Sequence, residues 1–199
     1  MKKRRQILML ICLSTIVLLT TILVTTYRPT ITQAYLRKNS PSAVQLQNEL
    51  ILNQLGLAYS SMEKGNFAAA ERSLKKILKE RPTNSMAMQL LGHVYYRTER
   101  YKEAEQVYRN MLKNNEFDAT AYNNLGQTLN RQGRQQEALQ ALLQSRELNP
   151  NNMTVYINLS VVYAALNEHE KAREMFMTAH RQLLEKQRET TNLKGDRHE

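Results

Sequence analysis

The 199-residue chain has one cysteine, Cys12, no tryptophan, four prolines and six glycines. A single thiol cannot close an intramolecular disulfide, so a disulfide-stapled fold is excluded. The glycines are scattered singly and no phosphate-loop string occurs, so the chain builds no nucleotide cradle of that type. The four histidines, His93, His169, His180 and His198, form no His-Glu-x-x-His motif. His169 and His180 stand about three helical turns apart, too far to share a metal. The acidic pairs Glu103/Glu105 and Glu168/Glu170 fall at expected helix starts, where carboxylates answer the helix dipole. No catalytic residue, metal or cofactor is therefore expected, and the chain reads as something other than an enzyme.

Acid is missing from the first 48 residues, which carry Lys2, Lys3, Arg4, Arg5, Arg28, Arg37 and Lys38. The rest of the chain holds the other 21 basic residues and all 18 acidic ones, so the net charge of +10 is concentrated at one end. That distribution argues against a nucleic-acid stripe over the body of the protein. The basic end flanks residues 7–26, ILMLICLSTIVLLTTILVTT, which contain no charge, glycine or proline. Twenty residues at 1.5 Å each span about 30 Å, the hydrocarbon thickness of a bilayer. The run exceeds the usual core of a cleavable signal peptide. It reads as a transmembrane signal anchor, and Lys2–Arg5 ahead of it predict an N-terminus (1–6) inside and the rest of the chain outside. Cys12 is then one more lipid-facing residue. Residues 27–40 read as a juxtamembrane linker, with Ser40 and Pro41 as the cap and first residue of a helix.

Beyond the linker the sequence echoes itself. LGHVY (91–95), LGQTL (125–129) and LSVVY (159–163) recur at a step of 34, in phase with Ala104, Ala138 and Ala172. This period and its apolar spacing predict stacked helix–turn–helix units at about 49–84, 85–118, 119–152 and 153–186. The first unit fits Leu52, Leu55, Gly56 and Tyr59 to the pattern only with a two-residue slip before Gly65. Gly56, Gly92, Gly126 and Ser160 would fall mid-helix, tolerable where two helix backbones approach closely. The last helix is expected to end near Lys186, leaving 187–199 as a disordered tail.

These strings resemble the tetratricopeptide repeat family over roughly residues 49–186. Leu52, Met88, Tyr122 and Tyr156 stand where the family often has tryptophan, and Ser160 replaces glycine. The resemblance implies an all-α, right-handed α-solenoid of four units, preceded here by one transmembrane helix. It also implies a concave groove, lined by first helices, that takes a protein or peptide partner. Mapped onto this sequence, the groove residues are Asn53, Gln89, His93, Tyr96, Arg97, Asn123, Asn124, Gln127, Asn130, Arg131 and Asn158, with Gln54, Leu57, Leu90 and Val161 beside them. Amides suit a peptide main chain, and Arg97 and Arg131 suit a carboxylate. The clamp by which some family members hold chaperone C-termini is not reproduced: of the matching places only Asn124 fits. The resulting expectation is a membrane-anchored scaffold in a bacterial periplasm, assisting assembly of an envelope complex of the secretion, cytochrome c maturation or pilus type. A cytosol-facing receptor, and a structural subunit that self-associates through helix 170–186, stay open as alternatives.

Overall fold

The computed structural model describes residues 40–195, and those residues form eight α-helices with no strand among them. In chain order these are α1 (Pro41–Glu63), α2 (Phe67–Glu80), α3 (Ser85–Arg97), α4 (Tyr101–Asn114), α5 (Ala119–Arg131), α6 (Gln135–Leu148), α7 (Met153–Ala165) and α8 (His169–Gly195). The chain divides into a unit of residues 1–52 and a unit of residues 53–199. Of the first unit, the described part is the opening of α1, which begins at Pro41 as expected. In the second, the pairs α3/α4, α5/α6 and α7/α8 pack as hairpins. Each hairpin packs on the next through α4/α5 and α6/α7, and α2 packs on α3.

The 34-residue period is visible in the backbone as well as in the side chains. Each turn between a first and a second helix passes through one left-handed residue: Gly65 (φ +72°), Glu99 (+60°), Gly133 (+77°) and Asn167 (+61°). Their spacing is 34 throughout. Glycine takes that conformation without strain, whereas the Cβ of Glu99 costs about 1 kcal/mol or more. First helices α3, α5 and α7 begin behind Asn84, Asp118 and Asn152, again 34 apart, whose side-chain oxygens accept from Ala87 N (2.8 Å), Ala121 N (2.9 Å) and Thr154 N (3.1 Å). One period earlier stands Leu50, which cannot cap, and α1 runs through that point without a break.

The core follows the same register. Leu74, Tyr108 and Leu142 are buried on successive second helices, as are Ala70, Ala104 and Ala138. A Cβ on Gly92 would lie 2.6 Å from the Tyr108 ring, and one on Gly126 would lie 2.6 Å from Leu142 and 3.1 Å from the Ala138 carbonyl. These two glycines are where paired helices come too close for any side chain. Gly56 is different: nothing lies within 4 Å of a Cβ built there. Of the residues expected to open the first unit, Leu55 is buried, while Leu52 and Tyr59 are exposed. No described unit precedes α1 to cover them, so the slip read in the sequence marks a helix packed on one side only. Ser160 and Ala172 of the last unit are half-buried.

The far end also departs from expectation. The helix expected to stop near Lys186, ahead of an irregular tail, continues as α8 to Gly195. No glycine or proline interrupts residues 170–194, and Glu185, Lys186, Gln187 and Arg188 are strong helix formers. The expected transmembrane helix over 7–26, the short segment before it, the linker up to residue 39 and residues 196–199 lie outside the described residues. Among the described residues, no helix is long and apolar enough to cross a membrane.

Candidate peptide-binding groove

First helices α3, α5 and α7 carry ten of the eleven residues the sequence nominates, and helical spacing decides which of them can meet. Tyr96 on α3, Gln127, Asn130 and Arg131 on α5, and Asn158 and Val161 on α7 line one open cavity of about 480 Å³. Its floor is apolar, formed by Leu142 and Val162. Five nominated residues are therefore gathered in one place across three units.

The amides divide into two groups. Asn123 and Asn158 are buried, and the Asn158 amide donates to Asn123 Oδ1 at 2.8 Å. Asn158 Oδ1 accepts in turn from Gln127 Nε2 (3.1 Å), and Asn123 Nδ2 donates to Asn124 Oδ1 at 3.4 Å. This chain of amides ties α5 to α7 beneath the cavity. Buried polar groups of this kind stabilise only while each keeps its partner. Asn123 and Asn158 thus hold two units together, with Asn158 also forming part of the cavity wall. Asn130 stands half-buried at the cavity.

The cations form a different arrangement. Arg131 donates through Nε to the Tyr96 hydroxyl (3.1 Å), and its guanidinium lies 6.0 Å from the Tyr96 ring centre. Tyr96 is itself steadied by an edge-on contact with Tyr101, ring centres 5.6 Å apart. Arg97 lies over the Phe67 ring at 5.4 Å. Neither arginine is in an ion pair among the described residues, so both keep nitrogens available to an incoming carboxylate. Partial desolvation, and then the Arg97 charge, hold the His93 imidazole below its ordinary range. Gln89 is half-buried on α3 and Asn53 exposed on α1, and neither lines the cavity. Farther along, Ile157 and Val161 of α7 are exposed apolar residues. The groove therefore passes from cationic on α3 and α5 to apolar on α7.

Models of the tetratricopeptide repeat match residues 55–118, 90–152 and 154–179 of this sequence. The chain belongs to the tetratricopeptide repeat family. Its stacked hairpins make a scaffold suited to protein–protein interaction. Among solved structures it is similar to MamA, at 20% identity and a TM-score of 0.62 over 74% of this chain and 86% of that one. A MamA from Desulfovibrio magneticus RS-1 (residues 41 to the end) gives 22% identity and 0.62 over 81% and 96%. The tetratricopeptide protein TTC0263 of Thermus thermophilus gives 21% and 0.59 over 65% and 72%. At these identities the likeness concerns the fold. No curated protein matches the chain in sequence.

Glu103 and Glu105, expected to answer the helix dipole, belong to a set of charged residues that joins successive units, a role their place at a helix start does not reveal. Arg100 donates to Glu71 of the preceding unit (2.8 Å) and to Glu103 (2.8 Å). One period on, Arg134 donates to Glu105 (2.7 Å) and to Glu137 (2.5 Å). Glu105 also accepts from Arg109 (2.8 Å) and Gln132 (2.9 Å). Burial raises the Glu105 carboxyl, but these hydrogen bonds outweigh it and hold the group below the ordinary range. Glu71 is lowered chiefly by its hydrogen bond with Lys75, against burial, with Arg100 adding to it. The signal was available in the sequence: Glu71/Glu105, Arg100/Arg134 and Glu103/Glu137 all stand 34 apart.

Proposed function

We propose that this tetratricopeptide protein is a membrane-tethered adaptor whose groove captures a protein segment with an acidic group beside an apolar residue. The observation that carries the reading is the cavity between α3, α5 and α7. Arg131 stands in that cavity with Val161, held by Tyr96 and in no ion pair among the described residues, and Arg97, likewise in no ion pair, ends the preceding first helix. A carboxylate docked there gains a charge-assisted, bidentate hydrogen bond, and its apolar neighbour gains burial. The tether is the apolar run 7–26 behind Lys2–Arg5, which supports a single-pass anchor with its N-terminus in the cytoplasm and the repeats in a bacterial periplasm. An anchored groove raises the local concentration of whatever it holds near the membrane, as assembly of an envelope complex requires.

Two measurements test the reading. Full-length protein in mild detergent, used as bait, should capture its partner, and Arg97→Ala with Arg131→Ala should weaken capture at least about tenfold. Both side chains are exposed, so the melting temperature should stay near that of the parent; unchanged capture would overturn the groove assignment. For the tether, alkaline phosphatase fused after Glu199 should be active, and activity of a cytosolic reporter alone would reverse the topology.

A further inference from the structure

We propose that α8 pairs with the α8 of a second copy of the chain, antiparallel, about a two-fold axis passing close to His180. The proposal starts from a repeat position that changes its environment. Leu74, Tyr108 and Leu142 occupy equivalent places on α2, α4 and α6 and are 0%, 2% and 0% exposed. The next member of the series, Phe176, is 57% exposed, because no described unit follows α8. Met177, Leu183 and Leu184 are exposed with it.

Their spacing puts them on one stripe. Positions 176, 177, 180, 183 and 184 follow the 3–4 rhythm of a helix–helix seam, about 100° of rotation per residue. The inward face of α8, with buried Met175 and Ala179, lies on another side of the helix. The stripe is also symmetric about its centre. Phe176 and Met177 lie about a turn before His180, and Leu183 and Leu184 about a turn after it. In an antiparallel pair centred on His180, Phe176 meets Leu183 of the second copy and Met177 meets its Leu184. The reciprocal contacts follow from the symmetry of an isologous interface.

Charge decides between antiparallel and parallel pairing. Glu170 and Arg188 lie on the same flank of the stripe, ten residues before His180 and eight after it. Antiparallel pairing brings each Glu170 to the Arg188 of the other copy. Parallel pairing puts the two copies of this flank on opposite sides of the seam and leaves each Glu170 about 27 Å along the axis from the Arg188 of the other copy, so neither charge meets its opposite. Opposed helix dipoles favour the same choice. Four apolar side chains per copy make a small seam, so the pair is concentration-dependent. α8 is 27 residues long, nearly twice the 14 of α2, α4 and α6, which gives the seam room beyond the body of the repeats.

Cysteine cross-linking of the full-length chain tests the arrangement, because Cys12 is its only thiol. In a Cys12→Ser background, His180→Cys should form a disulfide-linked dimer on mild oxidation in detergent. Arg173→Cys should not, since antiparallel copies of residue 173 sit about 21 Å apart along the axis. Linkage at both positions means parallel pairing and overturns the proposal; linkage at neither, with sedimentation as a monomer, overturns it as well. Phe176→Glu with Leu184→Glu should abolish the His180→Cys dimer while the helical melt is retained, these side chains being exposed. Arg188→Glu should weaken association about two- to fivefold, and adding Glu170→Arg should restore it. Failure of that rescue would also count against this register.

Discussion

Two pairs of arginines, three residues apart on the same turns, face different surroundings. Arg97 and Arg131 end first helices, Arg97 over the Phe67 ring and Arg131 in the groove cavity on the Tyr96 ring and hydroxyl. Arg100 and Arg134 begin the following second helices and close on carboxylates of the unit before and of their own helix. Both pairs recur at 34 residues, so periodicity alone cannot separate binding from structure. A carboxylate 29 residues upstream does separate them: Glu71 for Arg100 and Glu105 for Arg134. The outer face spends its charge within the fold, and the groove leaves its charge open.

The most damaging way to break that contrast is at Glu105, where three donors from two units converge. Glu105→Ala should lower stability by about 2 kcal/mol, less than a fully buried pair would lose because Arg109 and Arg134 are partly exposed. Thermal melting followed by circular dichroism should show a loss of several degrees, with partner capture by the surviving folded protein unchanged. Acid should act on the same clasps. Glu71 and Glu105 are held below their unfolded range, so their contribution is complete above the ordinary carboxylate pKa and is lost as pH falls through the lowered folded values. Melting temperatures measured from about pH 7 down to about pH 3 should therefore fall, and in Glu105→Ala they should fall less.

Asn158 sharpens the comparison from the groove side. The family resemblance makes it a partner contact, yet its side chain is buried, its amide donating to Asn123 and its carbonyl accepting from Gln127. Asn158→Ala leaves two amides short of a partner and should cost about 1–2 kcal/mol. That shift should appear in melting, where Arg131→Ala, at an exposed side chain, should show almost none. If the two variants melt alike, the division of the groove into amide tie and open cation is wrong.

What could be read in advance follows from this. Hairpin number, the register of units two to four and the closeness at Gly92 and Gly126 come from composition repeated at a fixed step, which sequence displays directly. Five nominated groove residues do share a cavity for the same reason. What escaped depends on neighbours rather than on pattern. Gly56 looks like Gly92 as a letter, but the packing that demands a glycine requires a facing side chain as close as Tyr108. Asn123 and Asn158 look like exposed amides until α5 and α7 meet. The end of α8 escapes for another reason: a polar stretch such as 187–195 resembles a tail unless its helix propensity is weighed, and the helix runs through it.

The smallest effect lies at the third junction, where the clasp is absent and its logic can be tested by construction. The period places Glu168 where Arg100 and Arg134 stand, Lys171 where Glu103 and Glu137 stand, and Leu139 where Glu71 and Glu105 stand. The local pair survives with its signs exchanged, Lys171 to Glu168 at 2.5 Å. The carboxylate of the preceding unit has given way to an apolar residue, as it must when its partner is negative. Glu168→Arg with Lys171→Glu and Leu139→Glu should rebuild the clasp and gain at most about 1 kcal/mol, since the site is partly exposed. Leu139→Glu alone should destabilise, because its carboxylate would face Glu168. The sign of the coupling between positions 139 and 168, measured in a double-mutant cycle, tests the rule: additive changes would mean that the 29-residue spacing is not what distinguishes a structural arginine from an open one.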